Sequence, residues 1–302
     1  VQIQPPPQLD RLNQVGFADQ VFDDDEVIRR ALLSIRTNNG VVSRSFALKL
    51  ALNYLQTKTI TSQPLGNKAS HIKLGKTLLI PFKSNDGGYV RADDSGYQIL
   101  LNFRGSANSF PTVSFTDVLT GNFDSELLRD RIVLIGSQAT STKDHFYTPY
   151  SQGKITNPIL TSSVEIQANI ASQILSTVLD QRSSIKVWSD SQELLWVIGW
   201  SAIIAVWGWK YRRTKNALKL VVIIFVGETI SIITLIGVSY FAFIAGWWLP
   251  LIPSLLSSFS AAILITAYVN VSKLQEYNSV LKTEVEARTY KLEKALKELH
   301  LV

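Results

Sequence analysis

The residue pattern predicts an incomplete α/β domain, then an α-helical bundle of three membrane spans, then a cytoplasmic coiled-coil helix. Three observations carry this reading. Residues 1–190 alternate short β-type runs with runs of helical period, no charged residue occurs over the 44 positions Thr229–Ser272, and residues 274–299 carry apolar side chains at heptad spacing. Alternating strands and helices imply layered α/β packing. An uncharged run of that length holds two bilayer crossings at roughly 20 residues each.

In the first segment, residues 27–36 (VIRRALLSIR) read as a strand, and Thr37-Asn38-Asn39-Gly40 reads as a turn. Phe46, Leu50, Ala51 and Tyr54 recur at helical spacing behind Ser43 or Ser45 as a cap. Leu78–Phe82 and Tyr97–Phe103 read as strands around the Asp86-Gly87-Gly88 turn, and Ser114-Phe115-Thr116-Asp117 matches a capping box. The continuous apolar run Ile132–Gly136 fits a strand buried on both faces of a parallel sheet. A helix from Ser163 to Leu179 puts Ile166, Ile170, Ile174 and Val178 on one stripe. Such a sheet needs parallel neighbours that residues 1–26 do not supply, so further strands are expected before Val1.

The apolar segment divides at Ala245–Pro250, where Gly, Pro and paired Trp suit a turn at the membrane interface. The expected spans are 194–211, 218–243 and 248–271, the first resting on only 16 uncharged residues, Leu194–Trp209. Five cations, Lys210, Arg212, Arg213, Lys215 and Lys219, crowd the loop between the first two spans. Basic loops stay in the cytoplasm. Residues 1–190 are therefore expected outside an inner (plasma) membrane, and the C-terminus is expected in the cytoplasm. The overall charge of +6 is concentrated in this way: residues 1–190 hold 19 basic against 17 acidic groups, and residues 191–302 hold 11 against 7. A charge used as a topology marker argues against a phosphate-tracking face, and no nucleic-acid partner is expected.

The chain contains no cysteine, which excludes disulfides, thiolate metal sites and cysteine nucleophiles. It also contains no methionine, and residue 1 is Val. Ile135-Gly136-Ser137-Gln138-Ala139 lacks the glycine spacing of a phosphate loop, and no serine-hydrolase elbow occurs. Catalytic residues, cofactor and metal are all expected to be absent. Asp23-Asp24-Asp25-Glu26 lacks the alternating ligand pattern of a calcium loop and reads as a solvated acidic turn. The candidate ligand pocket is the loop carrying Asp144 and His145, because ligands of α/β sheets favour the carboxyl ends of strands. Glu228 lies within the second span, where an ionisable group is costly. It is the candidate for transmembrane signalling.

Residues 15–55, YQILLNFRG at 97–105, SFPTVSFTDVLTG at 109–121, RDRIVLIGSQA at 129–139 and SSVEIQANIASQIL at 162–175 together resemble the later half of a CHASE domain of the second type. The similarity extends over residues 9–272. It implies the extracellular sensor module of bacterial histidine kinases and adenylate cyclases, followed by three membrane spans. Where relatives often carry His after Val-Glu-Ile, this chain has Gln167. The stretch Glu284–Glu293 resembles connectors that lead into PAS modules or histidine-kinase dimerisation helices.

On this basis the chain is expected to detect an unknown small ligand or envelope signal. A homodimeric coil would pass that signal to a cytoplasmic output. A histidine kinase of a two-component system is the favoured output, and a nucleotide cyclase or serine/threonine kinase is the alternative. A small membrane transport component or an envelope enzyme are readings from other classes.

Overall fold

The computed structural model describes residues 5–37, 40–64, 72–151, 158–182, 184–214 and 216–299. It divides into one unit spanning Val1–Val187 and a second spanning Trp188–Val302. Asn38 and Asn39 of the predicted turn and Lys215 of the basic loop lie outside the described residues.

In the first unit, a short helix α1 (Pro7–Arg11) precedes strand β1 (Arg30–Arg36), which turns back into β2 (Val42–Arg44). Thr37 and Val41 close this hairpin through a 2.8 Å backbone bond, beside Gly40 at φ 76°. Helix α2 (Phe46–Thr57) begins where Ser45 Oγ accepts the amide of Leu48. It buries Ala47, Leu48, Ala51 and Leu55, the face that the helical spacing marks out. Strands β3 (Ser62–Pro64), β4 (Ile72–Leu74) and β5 (Thr77–Leu78) form a small antiparallel sheet. Strand β6 (Tyr97–Leu100) pairs with β1, giving a sheet of order β2-β1-β6. Helix α3 (Phe115–Thr120) has its Ser114 cap, and Gly121 ends it in the left-handed conformation. Strands β7 (His145–Phe146) and β8 (Thr161–Ser162) then lead into α4 (Ser163–Leu179).

Helices α2 and α4 and the β2-β1-β6 sheet share one apolar core of Ile28, Leu33, Leu48, Leu55, Ile99, Ile166, Ile170 and Ile174. Close approach at Gly16 belongs to the same packing. A Cβ there would sit 2.6 Å from the backbone of Phe46, whose amide donates to Phe17 O.

Two expectations are corrected. Every ladder between named strands of this unit is antiparallel, because the sheet is built on a hairpin and on a returning strand rather than on helical crossovers. Residues 132–136 form no strand. Val133 is 51% and Ile135 84% exposed, since no neighbouring strand among the described residues is placed to pair with them. The expected strands at 78–82 and 97–103 are also shorter, because Leu79 and Leu101 continue the bonding only as single contacts to Ile72 O and Arg29 O.

Helix α4 supplies what a further strand would otherwise supply. On the turn beside its isoleucine stripe stand Glu165, Asn169 and Gln173, four apart and all buried. Glu165 accepts the amide of Ser109 at 2.9 Å, and Asn169 Oδ1 accepts that of Arg104 at 3.0 Å. Gln173 accepts from Asn102 N and donates to Leu100 O. A row of side chains thus satisfies the unpaired backbone of residues 100–109, which cannot be buried bare.

The acidic turn is not simply solvated. Arg30 is 4% exposed and lies between the rings of Phe82 and Tyr89, 4.8 and 5.0 Å from their centres. Its guanidinium meets Asp23 at 2.8–2.9 Å and also donates to Gln98 Oε1 and Asp93 O. Asp23 further accepts from Arg29 and from the Tyr89 hydroxyl. Burial, then the bond to Asp23, pushes the Tyr89 pKa upward. Asp25 is the exposed partner: the Arg29 guanidinium holds its carboxyl below the usual range.

In the second unit, helices α5 (Asp190–Lys210), α6 (Ala217–Ile244) and α7 (Leu251–Leu299) form a bundle. Contact levels set their directions. Ser257 donates to Val197 O, and Tyr268 stacks on Trp209, so α5 and α7 run parallel. Trp207 Nε1 donates to Ile223 O and Ser258 Oγ to Glu228, so α6 runs against both. Gly227 permits this crossing, because a Cβ there would meet Trp207 at 2.5 Å.

Removing one partner of a buried ion pair strands the other charge, at a cost of about 3–5 kcal/mol, whereas an exposed pair contributes at most about 1 kcal/mol. Asp23→Ala should therefore lower the denaturation free energy of the full chain several-fold more than Asp25→Ala. Equal losses would contradict the buried role of Asp23.

Candidate functional site

The start of α4 organises a cavity of about 570 Å³ in the first unit. That size falls within the roughly 300–1,000 Å³ of small-molecule sites. Its lining includes Asn108, Gln138, Lys143, His145, Ser162 and Glu165. Three segments bring these together: the turn at 107–108 after β6, the loop 137–145, and the β8–α4 junction.

The loop is fastened to the helix. His145 pairs with Ser162 across the β7–β8 ladder. Asp144 accepts from Ser163 twice, through its carbonyl at 3.1 Å and through its carboxylate from the Ser163 hydroxyl. One residue on, Ile28 donates to Tyr147 O at 2.9 Å, and Phe146 packs on the core and against Phe22. Of the two residues the sequence singles out, His145 therefore faces the cavity, while Asp144 is engaged in holding the helix start. Lys143, between the loop and Asp144, is held at φ 52°, and Asn108 across the cavity at φ 67°. Left-handed backbone at a lysine is uncommon and clusters at ligand clamps.

Ser162 and Glu165 are 4% and 6% exposed. The spacing Ser-x-x-Glu is that of a capping box, yet neither reciprocal bond forms. Ser162 makes no side-chain cap, and its Oγ is buried without a partner. Glu165 gives one oxygen to Ser109, and its other oxygen bonds no described residue. Lys143 lines the same cavity, and no ion pair joins it to Glu165. The cavity thus carries both signs of charge held apart.

Sequence reasoning passed over Glu165, Lys143, Ser162 and Asn108. The one available signal was the Ser-x-x-Glu spacing, and it pointed to a cap. Gln167, at the position where relatives often have His, is buried, donates to Ala18 O at 3.4 Å and leaves Oε1 unpaired.

Glu228, the other candidate, is 5% exposed in the helical bundle. Ser258 Oγ of α7 donates to its Oε1 at 2.8 Å, while Oε2 and the neighbouring Ser231 Oγ lack partners. The arrangement is a polar tie between α6 and α7. No group of three or more His, Cys, Asp or Glu capable of holding a metal occurs among the described residues.

The model of the CHASE2 domain family matches residues 2–206, more than half of the chain. The chain belongs to the CHASE2 domain family, whose members are extracellular sensor domains of signalling proteins. No curated protein and no solved structure matches it.

Interhelical hydrogen bonds in membrane bundles carry about 0.6–1.7 kcal/mol. A double-mutant cycle of Glu228→Leu and Ser258→Ala, read by unfolding of the full chain in detergent, should return a coupling of that size. Strictly additive losses would remove the tie.

Proposed function

We propose that this CHASE2 protein is a membrane-bound sensory receptor that detects an extracytoplasmic signal and passes it through three spans to a cytoplasmic histidine kinase. The direction of the three helices carries the reading. Helices α6 and α7 are long and apolar enough to cross a membrane. At 21 residues, α5 spans about 31 Å at 1.5 Å per residue, close to the bilayer core. It lies beside α7 over the same levels, which supports a third crossing.

Aromatic side chains fit the two interfaces. Trp188 and Trp196 stack near the start of α5, while Trp209, Tyr211 and Tyr268 gather near its end beside the basic loop. Lys273 reaches back to Thr214 O in that loop, marking the level at which α7 leaves the bundle.

Beyond that level, the helix exposes Leu274, Leu281, Val285 and Leu292, apolar positions of a heptad seam that also carries polar Asn278 and Arg288. An apolar seam on an isolated helix favours a partner, and a parallel two-stranded coil with a second copy satisfies it. The signal would then travel as a small shift or rotation of α7 in a dimer. The connector-like stretch Glu284–Glu293 favours a histidine kinase as the output over a cyclase.

Two measurements test this reading. Alkaline phosphatase fused after Val302 should be inactive and fluorescent protein there bright, while phosphatase inserted at Ala245–Gly246 should be active. The reverse pattern would sink the topology. Because the chain has no cysteine, Leu281→Cys is a clean probe: mild oxidation in membranes should yield a disulfide-linked dimer, and persistent monomer would refute the coil.

A further inference from the structure

We infer that the cavity at the start of α4 is a site for a small zwitterion, a free α-amino acid, with its ammonium on Glu165 and its carboxylate between Lys143 and His145. This rests on the sensor reading above and names the ligand class that the sensor would take.

The argument begins with an imbalance. Glu165 is buried and bonds only the Ser109 amide, although a carboxylate can accept about four hydrogen bonds. Its second oxygen bonds no described residue and, on the cavity lining, can accept from another group. Lys143 is not that group, since it makes no ion pair or hydrogen bond with a described residue. Both line one cavity, the lysine on an exposed loop and the glutamate at the buried end. A ligand carrying one charge of each sign spans them, and a ligand of a single sign leaves the other charge opposed.

The remaining lining agrees. His145, two residues beyond Lys143, also lines the cavity, and its ring bonds no described residue, so it can donate to the ligand's carboxylate. Ser162 Oγ, buried and unpaired, adds a neutral donor or acceptor beside Glu165. The Asn108 and Gln138 amides line the cavity as well and suit polar groups of either kind. The volume exceeds what the two charged groups need and leaves space for a side chain.

The test uses the full chain in lipid nanodiscs and calorimetric titration with glycine, L-alanine, L-leucine, L-glutamate and L-lysine. Each is compared with its N-acetyl derivative, which lacks the ammonium, and its amide, which lacks the carboxylate. At least one amino acid should bind, and both of its derivatives should bind more than about tenfold more weakly, the loss of one charged hydrogen bond. Glu165→Gln keeps the acceptor for Ser109 and so the fold. It should weaken the amino acid and its amide by about tenfold while leaving the N-acetyl form unchanged. Lys143→Met should weaken the amino acid and its N-acetyl form by a similar factor while leaving the amide unchanged. Binding of the N-acetyl form as tight as that of the amino acid would overturn the assignment, as would no heat from any of the five at about 10 mM. If the amino acids fail while the Leu281→Cys dimer and the fusion topology hold, the ligand class falls and the receptor reading stands. If they bind while the topology is reversed, the receptor reading falls and the site stands.

Discussion

The burial of Arg30 is the constraint on which the outer unit rests. A guanidinium taken out of water must be met on every side, and here Asp23, Gln98 and Asp93 O meet its edge while Phe82 and Tyr89 cover its faces. These partners come from the N-terminal segment, from β6 and from the loop between β5 and β6. One side chain of β1 therefore fixes three separate stretches of chain around the central strand. The stretch that carries Tyr147 docks just ahead of the same strand through Ile28, and this bond anchors the chain that follows Lys143 and His145.

A second constraint acts through α4. Its apolar stripe would make an ordinary core helix, but the adjoining row Glu165, Asn169 and Gln173 is buried as well. Those side chains hydrogen-bond the backbone of residues 100–109 in place of a neighbouring strand. The carboxylate at the end of that row opens into the cavity, so the device that completes the fold and the candidate ligand site share a residue. Glu165 is tied through Ser109 to the chain that follows β6, and Asp144 holds the helix start through Ser163.

In the bundle, the hydrophobic effect gives little preference for one helix pairing over another once all faces are apolar. Specificity then falls to small residues and polar ties. Gly208 against Ile265, Gly227 against Trp207, and Glu228 with Ser258 serve this purpose. The last pair joins α6 to α7, the helix that continues for seven turns or so beyond the bundle.

The sequence by itself determined what depends on short-range pattern. Phe46–Tyr54 and 163–179 show helical period, Ser114 is a cap and Ser43 or Ser45 another, and the 44-residue uncharged run specifies paired apolar helices. Hydrophobic period, cap chemistry and bilayer length are local properties, so they are legible one segment at a time. Residues 132–136 mark the limit: an apolar run states that burial is favourable, not that a partner strand is present. Likewise Asp23 reads as a solvated acid until Arg30 claims it, and Glu165 is passed over until distant Ser109 does. Only the tertiary structure decided those roles, because a polar side chain goes to whichever partner lies nearest in space when water is withdrawn, and that partner can stand 56 residues away.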